Sequence, residues 1–174
     1  TVAHSTASMP MIEGEFLDVE RYLDVKRGEI FLGKGVLLVE GIAEEYIIPK
    51  MAELLGKPLD EKGIVVCNIN CTNFKPYMKM LNSLRIPYAV ITDGDFYTVN
   101  ENGLEEEDSN RNYHVMEKDV KDDETTGSLG TENAIRIFEA LDINVPKDKD
   151  KVSYFSDKGY FIGKYTFEVD MMDQ

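Results

Sequence analysis

The stretch VLLVEGIAEEYIIPKMAELLG, residues 36–56, decides the fold class. It opens with VLLVE, a continuous apolar run closed by one acid, which is typical of a strand buried on both faces of a parallel sheet. Apolar side chains then recur at helical spacing over residues 42–55, and Gly56 supplies a stop signal. Pro49 lies inside this predicted helix, and we expect it to kink the helix or to end its first segment.

The same alternation of strand and helix continues along the chain. GIVVCNI, residues 63–69, is a second apolar run, FKPYMKMLNSLR, residues 74–85, is a second helical stretch, and YAVIT, residues 88–92, is a third apolar run. This spacing predicts an α/β fold with a parallel sheet, flanking helices and right-handed crossovers. Because ligands bind beyond the carboxyl ends of such strands, Glu40 and the DGD turn at residues 93–95 are the first candidates for function.

The second half of the chain is less regular. Residues 101–124 hold ten acids and three bases, which predicts a solvated loop or an acidic insertion spanning about residues 97–130. A helix is predicted over residues 131–142, with Thr131 as its N-cap. The partial alternation of YFIGKYTFEVDMM, residues 160–172, predicts a C-terminal strand or hairpin.

Composition excludes several classes of protein. The chain has 174 residues, of which 43% are hydrophobic, enough for one domain with a real core plus an appended segment. With 19 Lys and Arg against 33 Asp and Glu, the net charge of -14 excludes a general basic surface for a polyanion. If the protein acts on nucleic acid, metal ions or a partner must therefore neutralise the phosphates.

Cysteine usage and hydropathy bear on location. Cys67 and Cys71 have no other Cys or His near them in the sequence, so neither a disulfide framework nor a zinc site is supported. No apolar stretch approaches the roughly 20 residues of a membrane span, and the first residues lack the pattern of a signal peptide. We expect a soluble, cytoplasmic protein without a membrane partner.

Four acids follow the predicted strands closely. Asp93 and Asp95 flank a glycine in a turn, where both carboxylates can converge on one point, as a Mg²⁺ site requires. Glu40 ends a neighbouring strand, and Glu44 lies one helical turn further on, where the helix N-terminus favours an acid. The alternative is an ordinary acidic turn and a helix-terminal charge. Glu40 at the end of a buried strand favours a site, because a charge there is costly unless it is used.

The sequence resembles a Toprim domain, through LLVEGIAEEYIIPKMAELLG followed by YAVITDGD. It is similar in finer detail to the OLD (overcoming lysogenization defect) family of ATP-dependent nucleases. The residues that carry this resemblance are the run YLDVKRGEIFLGKGVLLVEG, the EGxxE pair, the segment NFKPYMKMLNSLRIPY and the late KYTFEVDM, which resembles a TLE-x-DL motif. The match is good over residues 18–95, moderate over 160–172 and weak over 96–159.

The resemblance implies a set of functional residues. It implies two bound ions, either Mg²⁺ or Mn²⁺, whose ligands are the acids Glu40, Glu44, Asp93 and Asp95. It implies that Lys164 stabilises charge on the scissile phosphate, and it offers Glu132 as a further acid. Tyr97 occupies the position of a third acid in a longer D-x-D-x-D pattern, so a second ion would depend on Glu44, Glu132 or the substrate. Lys164 has an alternative role as a surface residue of the last strand.

The first residues bear on domain organisation. AHST, residues 3–6, resembles the end of an ATPase strand in this family, which would make His4 a switch histidine; the alternative is a tag or linker residue. We expect residues 1–17 to be a linker or a remnant of an ATPase domain, and residues 18–174 to be the Toprim domain. No GxxxxGK[ST] loop is present, so the implied ABC-type ATPase domain would be a partner that this chain lacks. The full-length protein could also form a homodimer.

The expected function is a divalent-metal-dependent DNA endonuclease that hydrolyses phosphodiester bonds. The alternatives within the fold are a nucleotidyl-transfer enzyme and a catalytically degenerate Toprim interaction module. A phosphatase with a DxDxT motif is a rival from another class, but Tyr97 stands where that motif requires Thr or Val.

Overall fold

The computed structural model describes residues 10–15, 17, 27–100, 111–113, 115–121 and 124–172. A short 3₁₀ helix, Arg27–Phe31, leads into the first strand. The following elements, in chain order, are β1 Gly35–Val39, α1 Ile42–Leu54, β2 Ile64–Asn68, α2 Lys75–Leu84, β3 Tyr88–Thr92, β4 Phe96–Asn100, β5 Arg111–Tyr113, β6 Glu124–Ser128, α3 Leu129–Glu139, α4 Lys151–Ser156, β7 Tyr160–Ile162 and α5 Phe167–Met172. A second 3₁₀ turn spans Glu117–Asp119.

Four strands form a parallel sheet in the order β2-β1-β3-β7. Leu38 of β1 and Val90 of β3 are fully buried in its centre, as their continuous apolar runs predict. Five buried rings from β7, the helices and the N-cap of α2 add to the core: Phe74, Tyr77, Phe138, Phe155 and Tyr160. The predicted α/β fold with a parallel sheet and flanking helices is confirmed.

A second, antiparallel sheet has the strand order β5-β4-β6. Within residues 101–124, where a solvated loop or an insertion is expected, Arg111–Tyr113 form a strand of this sheet; the expected acidic insertion over about residues 97–130 stays a prediction. Composition gives little sign of β6, because its sequence, ETTGS, is largely polar. β4 nevertheless buries Tyr97 and Thr98, which are consecutive in the strand and therefore show that both faces of this sheet are covered there.

The first helix continues from Ile42 to Leu54 with Pro49 inside it, so the expectation that Pro49 ends its first segment is wrong, while the expected kink stays a prediction. Proline removes only the hydrogen bond to the carbonyl of Glu45, and its fixed φ is compatible with a helix. Packing of α1 against β2 holds the remaining turns together.

Two details of the later helices also differ from expectation. The N-cap of α3 is Ser128, whose Oγ accepts a hydrogen bond from Thr131 N at 3.1 Å; Thr131 is therefore inside the helix and not its cap. The expected hairpin at residues 160–172 is wrong. Only Tyr160–Ile162 is a strand, and residues 167–172 form α5, because Asp170 accepts hydrogen bonds from the N–H groups of Lys164 and Tyr165 and turns the chain.

Some expectations fall on residues outside the described part. They concern His4 and the first nine residues, which are expected to be a linker or a remnant of an ATPase domain. The boundaries at residues 17 and 18 remain a prediction. None of the helices in the described part of the chain has the length and apolar character needed to cross a membrane.

Candidate metal centre at the carboxyl edge of the parallel sheet

The first acid of the site is Glu40, which directly follows β1. Because β1 pairs with β3 in the register Val39 to Ile91, Glu40 emerges beside the end of β3. Its Oε2 accepts hydrogen bonds from Thr92 Oγ1 at 2.7 Å and from Asp93 N at 3.2 Å. The sheet register and these two bonds hold Glu40 against the DGD turn.

The DGD turn is packed tightly between two other segments. A Cβ atom at Gly94 would collide with the carbonyl oxygens of Gly163 and Lys164, so only glycine allows this approach. Gly94 N donates to the carbonyl of Tyr165 at 2.8 Å, and the Gly94 carbonyl accepts from Ser128 Oγ at 2.6 Å. The turn is therefore fixed by the segment after β7 and by the start of α3.

Asp93 is the acid whose ionisation the fold perturbs most clearly. Burial, followed by the negative charge of Glu40, raises its pKa to about 7, and Glu44 and Asp95 contribute in the same direction. The N–H of Phe167 donates to Asp93 Oδ1 at 2.8 Å and opposes the rise. These like charges face one another at close quarters, which is the electrostatic situation that a bound cation relieves.

Glu44 lies in the first turn of α1 and is only 4% exposed. Its carboxylate folds back towards its own helix N-terminus, since a Cβ at Gly41 would lie 2.9 Å from Glu44 Oε2. Burial raises the pKa of Glu44, and the charges of Glu40 and Glu168 add to this shift. Glu168, in the first turn of α5, is thus a further acid beside the site.

Four of the five predicted acids line one small cavity of about 190 Å³: Glu40, Asp93, Asp95 and Glu132. We call it the acidic cavity; its walls also include Thr72, Thr92, Leu129, Gly130, Asn133 and Arg136. Within the described residues, no three Asp, Glu, His or Cys side chains are already close enough to hold a metal ion. The donor set is carboxylate oxygen throughout, which suits Mg²⁺ or Mn²⁺ and not a soft metal. The residues therefore fit a hard divalent cation in chemistry, without a preformed cage.

Glu132 reaches the acidic cavity from α3 but has other partners. Tyr97 Oη donates a short hydrogen bond to it, Arg111 Nη2 lies 3.3 Å from its Oε2 and Arg136 Nη2 lies 3.8 Å away. The Arg111 guanidinium also stacks over the Tyr97 ring, 4.3 Å from its centroid. In contrast to Asp93, Glu132 is neutralised by cations of the chain itself.

Lys164 lies next to the DGD turn through its backbone, but its side chain points elsewhere. Its Nζ forms an ion pair with Glu117 and lies 5.6 Å from the centroid of the Tyr165 ring. The Lys164 side chain is 49% exposed. The structure therefore places Lys164 at the rim of the site and not among the residues that line the acidic cavity.

Sequence reasoning missed the groups that orient the acids. Thr92 was visible as the last residue of the third strand, and a hydroxyl before an acidic turn is a usable signal. Glu168 is the acid of the late KYTFEVDM motif, which is a usable signal, whereas a role for the N–H of Phe167 is not recognisable from sequence.

A second acidic surface lies at the open edge of the sheet, along β2 and α1. This cleft, of about 1020 Å³, is lined by Ile64–Val66, by apolar and small residues, and by five acids: Glu29, Glu45, Glu53, Asp60 and Glu61. We call it the edge cleft. Lys50 also lines it and pairs with Glu53 at 2.6 Å.

The parallel sheet, with an acid after β1 and the DGD turn after β3, defines a Toprim-type α/β domain. The family model of the "Overcoming lysogenization defect protein-like, TOPRIM domain" matches residues 31–95. The chain carries the Toprim domain of an OLD-family protein. The resemblance seen in the sequence is thereby confirmed.

Solved structures agree with this assignment. The C-terminal region of the Xanthomonas campestris pv. campestris OLD protein is 31% identical, with a TM-score of 0.55 over 81% of this chain and 55% of that chain. The C-terminal region of the Burkholderia pseudomallei OLD protein is 29% identical, with a TM-score of 0.54 over 78% of this chain and 56% of that chain. The chain thus spans just over half of each. No curated protein matches it significantly.

Proposed function

We propose that this domain is a divalent-metal-dependent DNA endonuclease, acting as the Toprim part of an OLD-family ATP-dependent nuclease. The observation that carries the proposal is the meeting of Glu40, Asp93 and Asp95 on the acidic cavity. The negative charges of Glu40, Glu44 and Asp95 all raise the pKa of Asp93. A site that concentrates negative charge in this way is suited to binding cations and, through them, phosphate.

Glu40, Asp93 and Asp95 would hold Mg²⁺ or Mn²⁺, with Glu44 beside them. A second ion would use Glu132, after exchange of its contact with the exposed Arg136. When bound, the ions supply the Lewis acidity that activates a water molecule and stabilises the leaving 3′ oxygen.

The remaining chemistry belongs to residues of the chain. Thr92 Oγ1 and Phe167 N each donate to one of the acids, which fixes the direction in which the other carboxylate oxygen points. Lys164 would exchange its ion pair with Glu117 for the charge that develops on the scissile phosphate. An ammonium that meets the substrate only in this charged state accelerates the reaction more than it aids binding.

DNA is the proposed substrate, and most of its affinity must come from elsewhere. The net charge of -14 opposes a general electrostatic contact with phosphates. An ABC-type ATPase domain, which in the proposal is joined to this domain in a cytoplasmic full-length protein, would supply the missing contacts, with or without a homodimer.

The test is nicking of supercoiled plasmid by the chain, with Mg²⁺ or Mn²⁺ and with excess EDTA. We expect cleavage only with added metal, and we expect Asp93→Asn, purified in parallel, to be inactive. Activity of Asp93→Asn equal to wild type would reveal a contaminating nuclease. A chain that cannot cut plasmid, single-stranded or linear duplex DNA with either metal would contradict the proposal.

A further inference from the structure

A second cavity, of about 280 Å³, adjoins the acidic cavity and is different in character. We call it the aromatic cavity; it is lined by Asp95, Phe96, Tyr113, Met116, Leu129, Tyr165, Thr166 and Val169. Asp95 and Leu129 line both cavities. Whatever occupies the aromatic cavity therefore lies next to the candidate metal centre.

The aromatic cavity is rigidly built around Phe96 and Tyr165. Their rings meet edge to face, with centroids 5.8 Å apart. Tyr165 is held at both ends: its hydroxyl accepts a hydrogen bond from Glu117 N at 2.8 Å, and its carbonyl accepts one from Gly94 N at 2.8 Å. The same residue thus shapes the aromatic cavity and fixes the DGD turn.

The dimensions and lining of the aromatic cavity restrict its occupant. Its volume is just below the range of roughly 300–1,000 Å³ that is usual for drug-sized ligands, which leaves room for one small, flat group. Aromatic rings and the apolar side chains of Met116, Leu129 and Val169 favour a π-system over a sugar or a phosphate. The hydroxyl and carboxylate groups of Thr166 and Asp95 offer polar partners at its wall.

Charge at the rim adds a second requirement. Lys164 Nζ lies 5.6 Å from the centroid of the Tyr165 ring, so a cation stands beside the apolar slot. The acidic cavity adjoins the aromatic cavity at Asp95, which lines both. A nucleotide matches this order of features, since it joins a flat aromatic base to a negatively charged phosphate.

We infer that the aromatic cavity binds one unstacked nucleobase of the DNA strand that is cut, adjacent to the scissile phosphodiester. This inference rests on the proposed nuclease function and specifies its substrate. A base inside a regular duplex is stacked between its neighbours and cannot enter such a slot without being extruded. The favoured substrate is therefore single-stranded, frayed or distorted DNA.

The experiment measures binding of a fluorescein-labelled single-stranded oligonucleotide to the chain, with Ca²⁺ in place of Mg²⁺. A second oligonucleotide of the same length carries abasic residues in place of its central nucleotides. Stacking of a base on aromatic side chains implies about tenfold tighter binding of the first oligonucleotide. Equal affinity of the wild-type chain for both would overturn the inference.

Two variants connect that difference to the aromatic cavity. Tyr113→Ala removes a ring that is 37% exposed at its rim, and Val169→Phe fills the cavity while every acid of the chain is retained. Both should abolish the discrimination between the two oligonucleotides, while Tyr113→Phe should retain it. Phe161→Ala is the matched control, because this ring is 45% exposed and lines neither cavity.

Plasmid nicking distinguishes a failure of the base-binding inference from a failure of the nuclease proposal. A wild-type chain that cuts DNA, together with variants that still discriminate between the oligonucleotides, would refute the base-binding role and leave the nuclease proposal intact. A wild-type chain that neither binds nor cuts DNA would refute both.

Discussion

The acidic cavity and the edge cleft are both lined by carboxylates, yet they differ in every property that matters for catalysis. The edge cleft is about five times larger, at about 1020 Å³ against about 190 Å³. Its acid Glu53 is 61% exposed and paired with Lys50. In the acidic cavity, burial and the charge of Glu40 raise the pKa of Asp93 to about 7.

The comparison shows that neither the number of acids nor the size of a depression identifies the functional site. Exposed carboxylates are solvated and screened, so their mutual repulsion has little effect. Buried carboxylates that face one another retain their repulsion, which a divalent cation can convert into binding energy. The predictions below test this contrast, from the largest effect to the smallest.

The largest effect is expected from removing one carboxylate from each region. Asp93→Ala should lower DNA cleavage by about 10³-fold or more, because the Lewis acidity lost with the ion contributes several kcal/mol. Glu53→Ala, in the edge cleft, should leave the rate within about twofold of wild type, as expected for a solvated side chain. Initial rates of plasmid nicking, with calorimetric Mn²⁺ binding on the same samples, measure both. Equal losses of cleavage rate in the two variants would show that the acidic cavity and the edge cleft do not differ in function.

An intermediate effect is expected at the rim of the acidic cavity. Lys164→Ala should lower cleavage by about 10²-fold and leave Mn²⁺ binding unchanged, because its ammonium acts on the charged transition state and not on the ion. Glu117→Gln removes the partner of Lys164 and should not reproduce this loss. Single-turnover cleavage and calorimetry provide the measurements. Wild-type cleavage by Lys164→Ala would exclude Lys164 from the site.

The smallest effect concerns stability without metal. The pKa of Asp93 is about 7 in the fold and about 3.9 in an unfolded chain, so the folded state binds the extra proton. Its contribution to the free energy of unfolding is greatest below pH 4 and is lost as the pH rises to 7. Asp93→Asn should therefore raise Tm in EDTA at pH 8 by about 3 °C, or about 1 kcal/mol after solvent screening. The gain should vanish at pH 4.

Thermal unfolding by circular dichroism at the two pH values measures this difference. Added Mg²⁺ should stabilise the wild type and not Asp93→Asn, since the ion binds only the folded site. A less stable Asp93→Asn at pH 8 in EDTA would show that the hydrogen bond from Phe167 outweighs the repulsion.

The sequence was sufficient for the parallel half of the fold and for the main acids. Uninterrupted apolar runs such as YAVIT indicate burial on both faces, and the resemblance to a Toprim sheet, in which the first and third strands can end side by side, predicts that Glu40 lies beside Asp93. The apolar runs and the acids that follow them can each be recognised in a short stretch of sequence, without knowledge of tertiary contacts.

The missed features depend on contacts between distant residues. β6 is a strand because it pairs with β4, although its own residues, ETTGS, carry little apolar signal. α5 forms where Asp170 binds the N–H groups of residues 164 and 165, while the alternation of KYTFEV favours a strand. The partner of Lys164 is 47 residues away in the chain, and no spacing rule could identify it.

The contact between the DGD turn and the segment after β7 also has a consequence for biosynthesis. The acids are translated early, but Gly94 finds its hydrogen-bond acceptor only at Tyr165, and Asp93 finds its donor only at Phe167. A ribosome-bound chain that stops short of these residues contains the acids without the contacts that orient them. The order of synthesis therefore delays these contacts until the segment after β7 has been made, so a translation product that stops before Tyr165 does not carry them.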